Sequence, residues 1–141
     1  YKRFQEGSFA PTTAAWGLDN RTAGFRLAGH GNSIRIECRV PGADVNPYLA
    51  FSGLILAGLY GIENNLKLED PLKGNIYQNK KAKIVPGTLR EAIEIAKKSK
   101  LLPKIFLPDV LEHYIHSAQW EQSEYDKSVN DWEHKRYVER G

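Results

Sequence analysis

Three charged side chains alternate with apolar ones in the segment 34–40, and their types suit phosphate and metal chemistry. Arg35, Glu37 and Arg39 occupy every second position. Successive side chains of a strand point to opposite faces, so these three would share one face at about 6.6–7 Å intervals. Glu37 could ligate a hard cation such as Mg²⁺ or Mn²⁺, and the guanidiniums could hold phosphate oxygens in bidentate fashion. The pattern predicts a site for a metal-bound phosphate group.

The same charges could instead pair with one another on a solvated sheet face. The surrounding arginines favour the anion site, because Arg21 and Arg26 lie on the adjacent segment. Residues 1–42 carry six basic residues, five of them arginine, against three acids, whereas residues 43–141 carry 14 of each sign. The whole net charge of +3 therefore belongs to the region around this strand.

The composition excludes several classes of protein and partner. Hydrophobic residues make up 41% and charged residues 26% of the 141 residues, as in a globular chain. The single Cys38 cannot form an internal disulfide, which favours a reducing compartment, the cytoplasm. No apolar run approaches the roughly 20 residues of a membrane span, and the small basic excess does not favour a nucleic-acid partner. Since the chain contains no Met and opens at Tyr1, we expect the C-terminal part of a longer protein.

An α+β fold is expected to position the charged strand, with a few antiparallel strands followed by helices. Ser33–Val40 is the clearest strand, Gly24–Ala28 is its expected neighbour across the turn 29–32, and Thr12–Trp16 is a candidate third strand. The strand-rich region covers residues 1–45 and the helical region residues 46–141.

Gly and Pro residues divide the second region into helices. Asn46 can cap a helix over Pro47–Tyr60, which is apolar nearly all round and is therefore expected to be buried. Residues 63–87 are expected to form a loop. Further helices are predicted from Thr88 to about Ser99, from Pro108 onward, and over Trp132–Glu139. The four histidines show no convincing metal spacing, and Cys38 is expected to be an inert thiol on the apolar side of its strand.

Several motifs in one order carry a resemblance to a known family. The sequence resembles the C-terminal half of the catalytic domain of the glutamine synthetase family, closely over about residues 1–65 and more loosely beyond. The motifs are Tyr1-Lys2-Arg3-Phe4, Ala10-Pro11, Trp16-Gly17, Asn20-Arg21, Phe25-Arg26, Ile34-Arg35-Ile36-Glu37-Cys38-Arg39 and Asn46-Pro47-Tyr48-Leu49.

The resemblance implies a role for each charged residue of the first region. Arg3 matches the arginine that holds the carboxylate of substrate glutamate, and Glu37 matches a ligand of one of two Mg²⁺ or Mn²⁺ ions. Arg39 matches the arginine that stabilises the transferred phosphoryl group. The arginines that bind the phosphates of ATP are matched by Arg21, Arg26 and Arg35. The implied reaction is phosphorylation of the glutamate γ-carboxylate followed by attack of an amine.

Two departures from the family pattern bear on the substrate and the site. Phe9 stands where glutamine-forming members carry a flap glutamate that closes the ammonium pocket. This favours a larger amine over ammonia, as in the γ-glutamylpolyamine ligase branch, with ammonia as the alternative. The turn 29–32 is also about two residues shorter than usual. Tyr77 matches a tyrosine that is adenylylated in some bacterial members, with an ordinary loop tyrosine as the alternative.

The resemblance also implies an assembly and leaves one rival function. Family members form ring-type homo-oligomers, dodecamers among them, with active sites between subunits. The other metal ligands and most of the glutamate pocket belong to upstream sequence, so we expect residues 1–141 alone to be inactive. The rival function is a non-enzymatic protein that reuses the fold for structure or regulation. The presence of Arg3, Arg21, Arg26, Arg35, Glu37 and Arg39 argues against it.

Overall fold

A computed structural model of the chain describes residues 1–140. The backbone forms two compact units, Tyr1–Thr88 and a second that begins at Leu89. The first unit contains the strands β1 (Trp16–Leu18), β2 (Phe25–Ala28) and β3 (Arg35–Cys38) and the helix α1 (Pro47–Glu63). The second contains the helices α2 (Leu89–Lys98), α3 (Leu102–Ile105), α4 (Pro108–Lys127) and α5 (Asp131–Val138). Strands followed by helices confirm the α+β class.

The three strands form one small sheet in the order β1-β2-β3. The expected antiparallel pairing of β2 with β3 is confirmed, but β1 runs parallel to β2. The turn between β2 and β3 contains a 3-10 helix, Gly31–Ser33. Gly29 is required at its start, because its φ is +90° and a Cβ atom there would lie 2.2 Å from the Ser33 carbonyl oxygen.

The prediction of a strand over Thr12–Trp16 is wrong in its position. β1 begins where that segment was expected to end, and Thr13 instead forms an isolated antiparallel bridge to Ile84. The chain can approach β1 closely because Gly17 has no side chain. A Cβ atom at Gly17 would lie 2.9 Å from the Leu72 carbonyl oxygen.

The helix α1 begins as the sequence predicts but is not buried. The Asn46 side chain accepts hydrogen bonds from the Tyr48 and Leu49 amides, at 3.0 and 3.3 Å, and Pro47 is the first helical residue. The prediction that this helix is buried is wrong for the described chain, since none of its residues is buried. Within Tyr1–Thr88 no other strand or helix packs extensively along α1, and its Tyr48 side chain is among the exposed ones.

The core of the first unit consists mainly of residues outside the three strands. Ile76 and Pro11 are its largest fully buried side chains, and Thr13 and Ala23 are buried with them. Ile76 belongs to a 3-10 helix, Ile76–Gln78, inside the segment predicted to be a loop. This core therefore holds the segment 10–13 close to the segment 76–78.

The second unit contains the predicted helices and one short addition. α2 packs against α4, Ile93 is buried, and Arg90 forms an ion pair with Asp126 at 2.7 Å. The predicted terminal helix is confirmed one residue earlier as α5, where Asn130 and Glu133 form a capping box. The short helix α3 was not predicted. No helix within residues 1–140 is long and apolar enough to cross a membrane.

Candidate functional site

The sheet register places one charged cluster on a single face. Arg26 of β2 lies directly opposite Glu37 of β3, and Ala28 lies opposite Arg35. Same-face neighbours along β3 are two residues apart, so Arg35 and Glu37 share that face, as the sequence alternation predicts. The antiparallel pairing thus brings Arg26, Arg35 and Glu37 together.

The Glu37 carboxylate is held by both arginines. Its Oε2 accepts a hydrogen bond from Arg26 Nη1 at 2.8 Å, and its Oε1 accepts one from Arg35 Nε at 3.0 Å. The bond from Arg26 does most to lower the pKa of the Glu37 carboxyl below its usual value, partial burial opposes this, and the bond from Arg35 adds to it. Glu37 is therefore ionised at neutral pH and presents a fixed carboxylate.

Arg26 is the most enclosed member of the cluster. Its side chain is 14% exposed, and its Nη2 atom donates to Asp19. Hydrogen bonds to Glu37 and then Asp19 raise the pKa of Arg26 above its ordinary value. Its buried Nε atom has no hydrogen-bond partner among the described residues. Sequence reasoning missed Asp19, which lies outside the three strands and has a left-handed backbone with a φ of +46°.

Arg39 turns away from the cluster and binds backbone. Its Nη2 atom donates to the Phe9 carbonyl at 2.6 Å, and its Nη1 atom donates to the carbonyls of Arg21 and, at 3.3 Å, Ala23. The guanidinium thereby ties the loop before Ala10 to the connection between β1 and β2. Strand β3 ends at Cys38, so the alternation that predicted Arg39 on the charged face no longer governs its side chain.

The other two predicted arginines occupy different surroundings. The Nη2 atom of Arg3 donates to three successive carbonyls beyond β3, those of Arg39, Val40 and Pro41. The Arg21 side chain is exposed and forms no hydrogen bond or ion pair with residues 1–140. The structure thus joins Arg26, Arg35 and Glu37 directly, links Arg39 and Arg21 through a carbonyl, and anchors Arg3 to the end of β3.

The described residues offer few side chains that could ligate a metal ion. A hard cation such as Mg²⁺ requires several oxygen ligands, and Glu37 fits the role of one of them. Its oxygens face guanidiniums but retain further lone pairs. No group of three or more His, Cys, Asp or Glu side chains converges within residues 1–140. The described chain therefore offers one candidate ligand rather than a coordination sphere.

The loop that carries Phe9 lies beside residues that sequence reasoning did not connect with it. The Tyr77 hydroxyl donates to the Ala10 carbonyl at 2.9 Å, and Tyr77 is half-buried. Modification of this hydroxyl would have to break that bond. The sequence draws attention to Tyr77 only through its match to a family tyrosine, and nothing in the sequence indicates that Tyr77 contacts Ala10.

Comparison with known proteins identifies the family. The sequence model described as "Glutamine synthetase, catalytic domain" matches residues 1–137. The chain belongs to the glutamine synthetase family. This confirms the resemblance that the motifs of the first 65 residues carry.

Similar members of the glutamine synthetase family are named for different activities. The chain is 53% identical, over 99% of its length, to the γ-glutamylethanolamide synthetase of Streptomyces coelicolor. It is 41% identical over 99% of its length to the glutamate–isopropylamine ligase of a Pseudomonas species, and 39% identical over 98% to the glutamine synthetase of Thermus thermophilus. It spans 30%, 31% and 33% of the lengths of these relatives.

A solved structure of the family has the same fold over the matched region. The structure described as a GmaS/ADP complex matches 95% of this chain with a TM-score of 0.80 and 25% sequence identity. The match covers 31% of that chain.

Proposed function

We propose that the protein to which this chain belongs is an ATP- and divalent-metal-dependent ligase. It joins the γ-carboxylate of glutamate to an amine through γ-glutamyl phosphate. The chain forms the C-terminal portion of the catalytic domain, with the site residues in 1–45 and the helical region in 46–141. The observation that supports this most is the ionised Glu37 carboxylate between Arg26 and Arg35 on one sheet face of a glutamine synthetase-family chain.

Each site residue has a task that its contacts allow. Glu37 serves as a metal ligand, and the bound Mg²⁺ or Mn²⁺ supplies Lewis-acid stabilisation of phosphate charge. Arg35, with a side chain 56% exposed, and the exposed Arg21 are free to reach nucleotide phosphates. Arg26 holds Glu37 in place and adds positive charge beside the phosphates. This arrangement would stabilise the negative charge that develops on the phosphoryl oxygens during phosphoryl transfer.

Arg3 and Arg39 are proposed to contact the reacting groups. Arg3 uses Nη2 for carbonyls beyond β3, so its Nε and Nη1 donors remain for the glutamate carboxylate. Arg39 stabilises the transferred phosphoryl group and the γ-glutamyl phosphate. Its hydrogen bond to the Phe9 carbonyl supports this role, because the bond brings the Arg39 guanidinium close to the segment that is proposed to face the amine.

The acceptor is proposed to be an amine larger than ammonia. Phe9 cannot bind or deprotonate ammonium, and its side chain is 63% exposed. Two of the similar relatives are named as a γ-glutamylethanolamide synthetase and a glutamate–isopropylamine ligase. An apolar aromatic group in the flap is suited to the carbon portion of such an amine.

An acceptor assay with the full-length protein tests the proposal. Glutamate, ATP and Mg²⁺ are supplied with ammonium, putrescine, spermidine or ethanolamine, and ADP release is followed. We expect turnover with at least one larger amine at concentrations where ammonium gives little. Saturation by ammonium alone would contradict the acceptor proposal, and no ADP release with any amine would contradict the ligase proposal.

A pair of variants separates the effect of Phe9 from general damage to the loop. Phe9→Glu introduces the carboxylate of glutamine-forming members, so the ratio of kcat/KM for ammonium to kcat/KM for the larger amine should rise about tenfold or more. Phe9→Leu keeps an apolar side chain and should leave that ratio near the wild-type value. Equal ratios in both variants would remove Phe9 from acceptor selection.

The proposed assembly is a cytoplasmic ring-type homo-oligomer of the full-length protein, as in the dodecamers of the family. The exposed apolar side chains of α1, such as Tyr48, Phe51 and Ile55, are available for contacts with other parts of such an assembly. Light scattering of the full-length protein measures the mass. A monomer at the concentrations of the activity assay would contradict the ring.

A further inference from the structure

Phe9 has a backbone conformation that requires restraint. Its φ is +56°, in the left-handed region that bulky residues rarely adopt, and its side chain is exposed. Such conformations are unfavourable and persist only where the surrounding structure holds them, most often at functional sites. We therefore expect some contacts of residues 8–11 to stabilise the left-handed backbone conformation of Phe9.

Two side chains from distant parts of the sequence donate hydrogen bonds to the consecutive carbonyls of Phe9 and Ala10. Arg39 Nη2 donates to the Phe9 carbonyl at 2.6 Å, and the Tyr77 hydroxyl donates to the Ala10 carbonyl at 2.9 Å. On the other side, Ser8 Oγ donates to the carbonyls of Arg3 and Gln5. Arg39 belongs to the proposed catalytic machinery, whereas Tyr77 has no other assigned task.

The backbone around Tyr77 is held in place by hydrogen bonds and by the burial of a neighbouring residue. It lies in the 3-10 helix Ile76–Gln78, where the Asn75 side chain accepts a hydrogen bond from the Tyr77 amide at 3.1 Å. Ile76 is 1% exposed, and its amide donates to Thr22 Oγ1 at 3.1 Å. The hydroxyl therefore reaches Ala10 from a fixed position, which is what a positioning contact requires.

We propose that Tyr77 is a positioning residue that holds the Phe9 loop, residues 7–11, in the conformation that selects the amine. This rests on the proposed function, since Phe9 is the residue through which Tyr77 acts. Without the hydroxyl, the Ala10 carbonyl loses its side-chain partner and the left-handed conformation of Phe9 has one restraint fewer. The loop then samples other conformations, and amine binding weakens while nucleotide binding does not.

Tyr77→Phe in the full-length protein tests the proposal, with Tyr125→Phe as its control. Both changes remove one hydroxyl from a tyrosine ring, but the Tyr125 hydroxyl makes no hydrogen bond with residues 1–140. Hydrogen exchange is measured at residues 7–11, where the Ser8 and Ala10 amides are hydrogen-bonded. We expect exchange there to accelerate about fivefold in Tyr77→Phe, the factor for one net hydrogen bond, and to be unchanged in Tyr125→Phe.

Steady-state kinetics of the same variants separate positioning from general destabilisation. In Tyr77→Phe the KM for the amine that the wild type accepts should rise about fivefold, with less than a twofold change in the KM for ATP. An equal rise of both KM values, or wild-type exchange at residues 7–11, would overturn the proposal. If the wild type shows no amine-dependent turnover, the proposed function fails, and hydrogen exchange alone still decides whether Tyr77 holds the loop.

Discussion

Replacing Arg39 with lysine tests whether one planar guanidinium holds two backbone segments together, the loop before Ala10 and the connection between β1 and β2. Arg39 donates to the carbonyls of Phe9, Arg21 and Ala23, and the last bond is long at 3.3 Å. A hydrogen bond from a charged donor contributes about 1.5–3 kcal/mol. Lysine has a single nitrogen in place of the two that Arg39 uses, so it can hold one segment at a time. Loss of the other bonds, taken at the lower value because the site is half-exposed, amounts to about 3 kcal/mol.

Native-state hydrogen exchange of the full-length protein measures this loss at residues 20–25. A change of about 3 kcal/mol corresponds to roughly a 100-fold increase in local opening. Arg140→Lys is the control, since the exposed Arg140 side chain has no side-chain partner within residues 1–140 and should leave exchange unchanged. Exchange at residues 20–25 within about threefold of the wild type would refute the reasoning. It would mean that the carbonyl bonds of Arg39 do not hold the connection between β1 and β2.

Three further predictions concern the metal, packing and pH. Glu37→Gln in the full-length protein should raise the Mg²⁺ concentration for half-maximal activity about tenfold or more, and an unchanged titration would exclude Glu37 as a ligand. Gly24→Ala should lower the free energy of unfolding by about 1–3 kcal/mol, because its Cβ would lie 2.5 Å from the Thr13 carbonyl oxygen; an unchanged melting temperature would contradict this. A hydrogen bond from Arg90 lowers the pKa of Asp126, so the stability from this pair is full above the ordinary carboxyl pKa and is lost as pH falls through the lower folded value. Arg90→Met should therefore raise the pKa of Asp126 in an NMR titration, and an unchanged pKa would show that Arg90 is not its cause.

The parts of the fold that follow from local sequence are the ones that were predicted. The alternation in residues 34–40 predicts β3 and its charged face, and the glycine-rich turn predicts its antiparallel pairing with β2. Asn46 followed by Pro47 predicts where α1 begins. Each of these signals involves residues that are close in the chain, so the periodicity of one strand or the chemistry of one cap suffices.

The predictions that were wrong concern features that depend on contacts between distant segments of the chain. β1 begins at Trp16 rather than at Thr12, and the chain around Leu72, which is distant in sequence, lies close to Gly17 of this strand. The apolar composition of α1 predicts a buried helix, but none of its residues is buried within residues 1–140. In the site, the alternation correctly joins Arg35 with Glu37 and misplaces Arg39, whose partners lie 16 to 30 residues away.

The preference for arginine over lysine in residues 1–42 has a physical explanation in these contacts. A guanidinium carries N–H donors on three nitrogens, whereas an ammonium is a single point. Arg3 donates hydrogen bonds from Nη2 to carbonyls, and Arg35 contacts Glu37 through Nε and Nη2. Each can still offer other donors to an anion. Lysine could bind the protein or the ligand but not hold both in fixed geometry, so a site assembled from short loops and strands requires arginine.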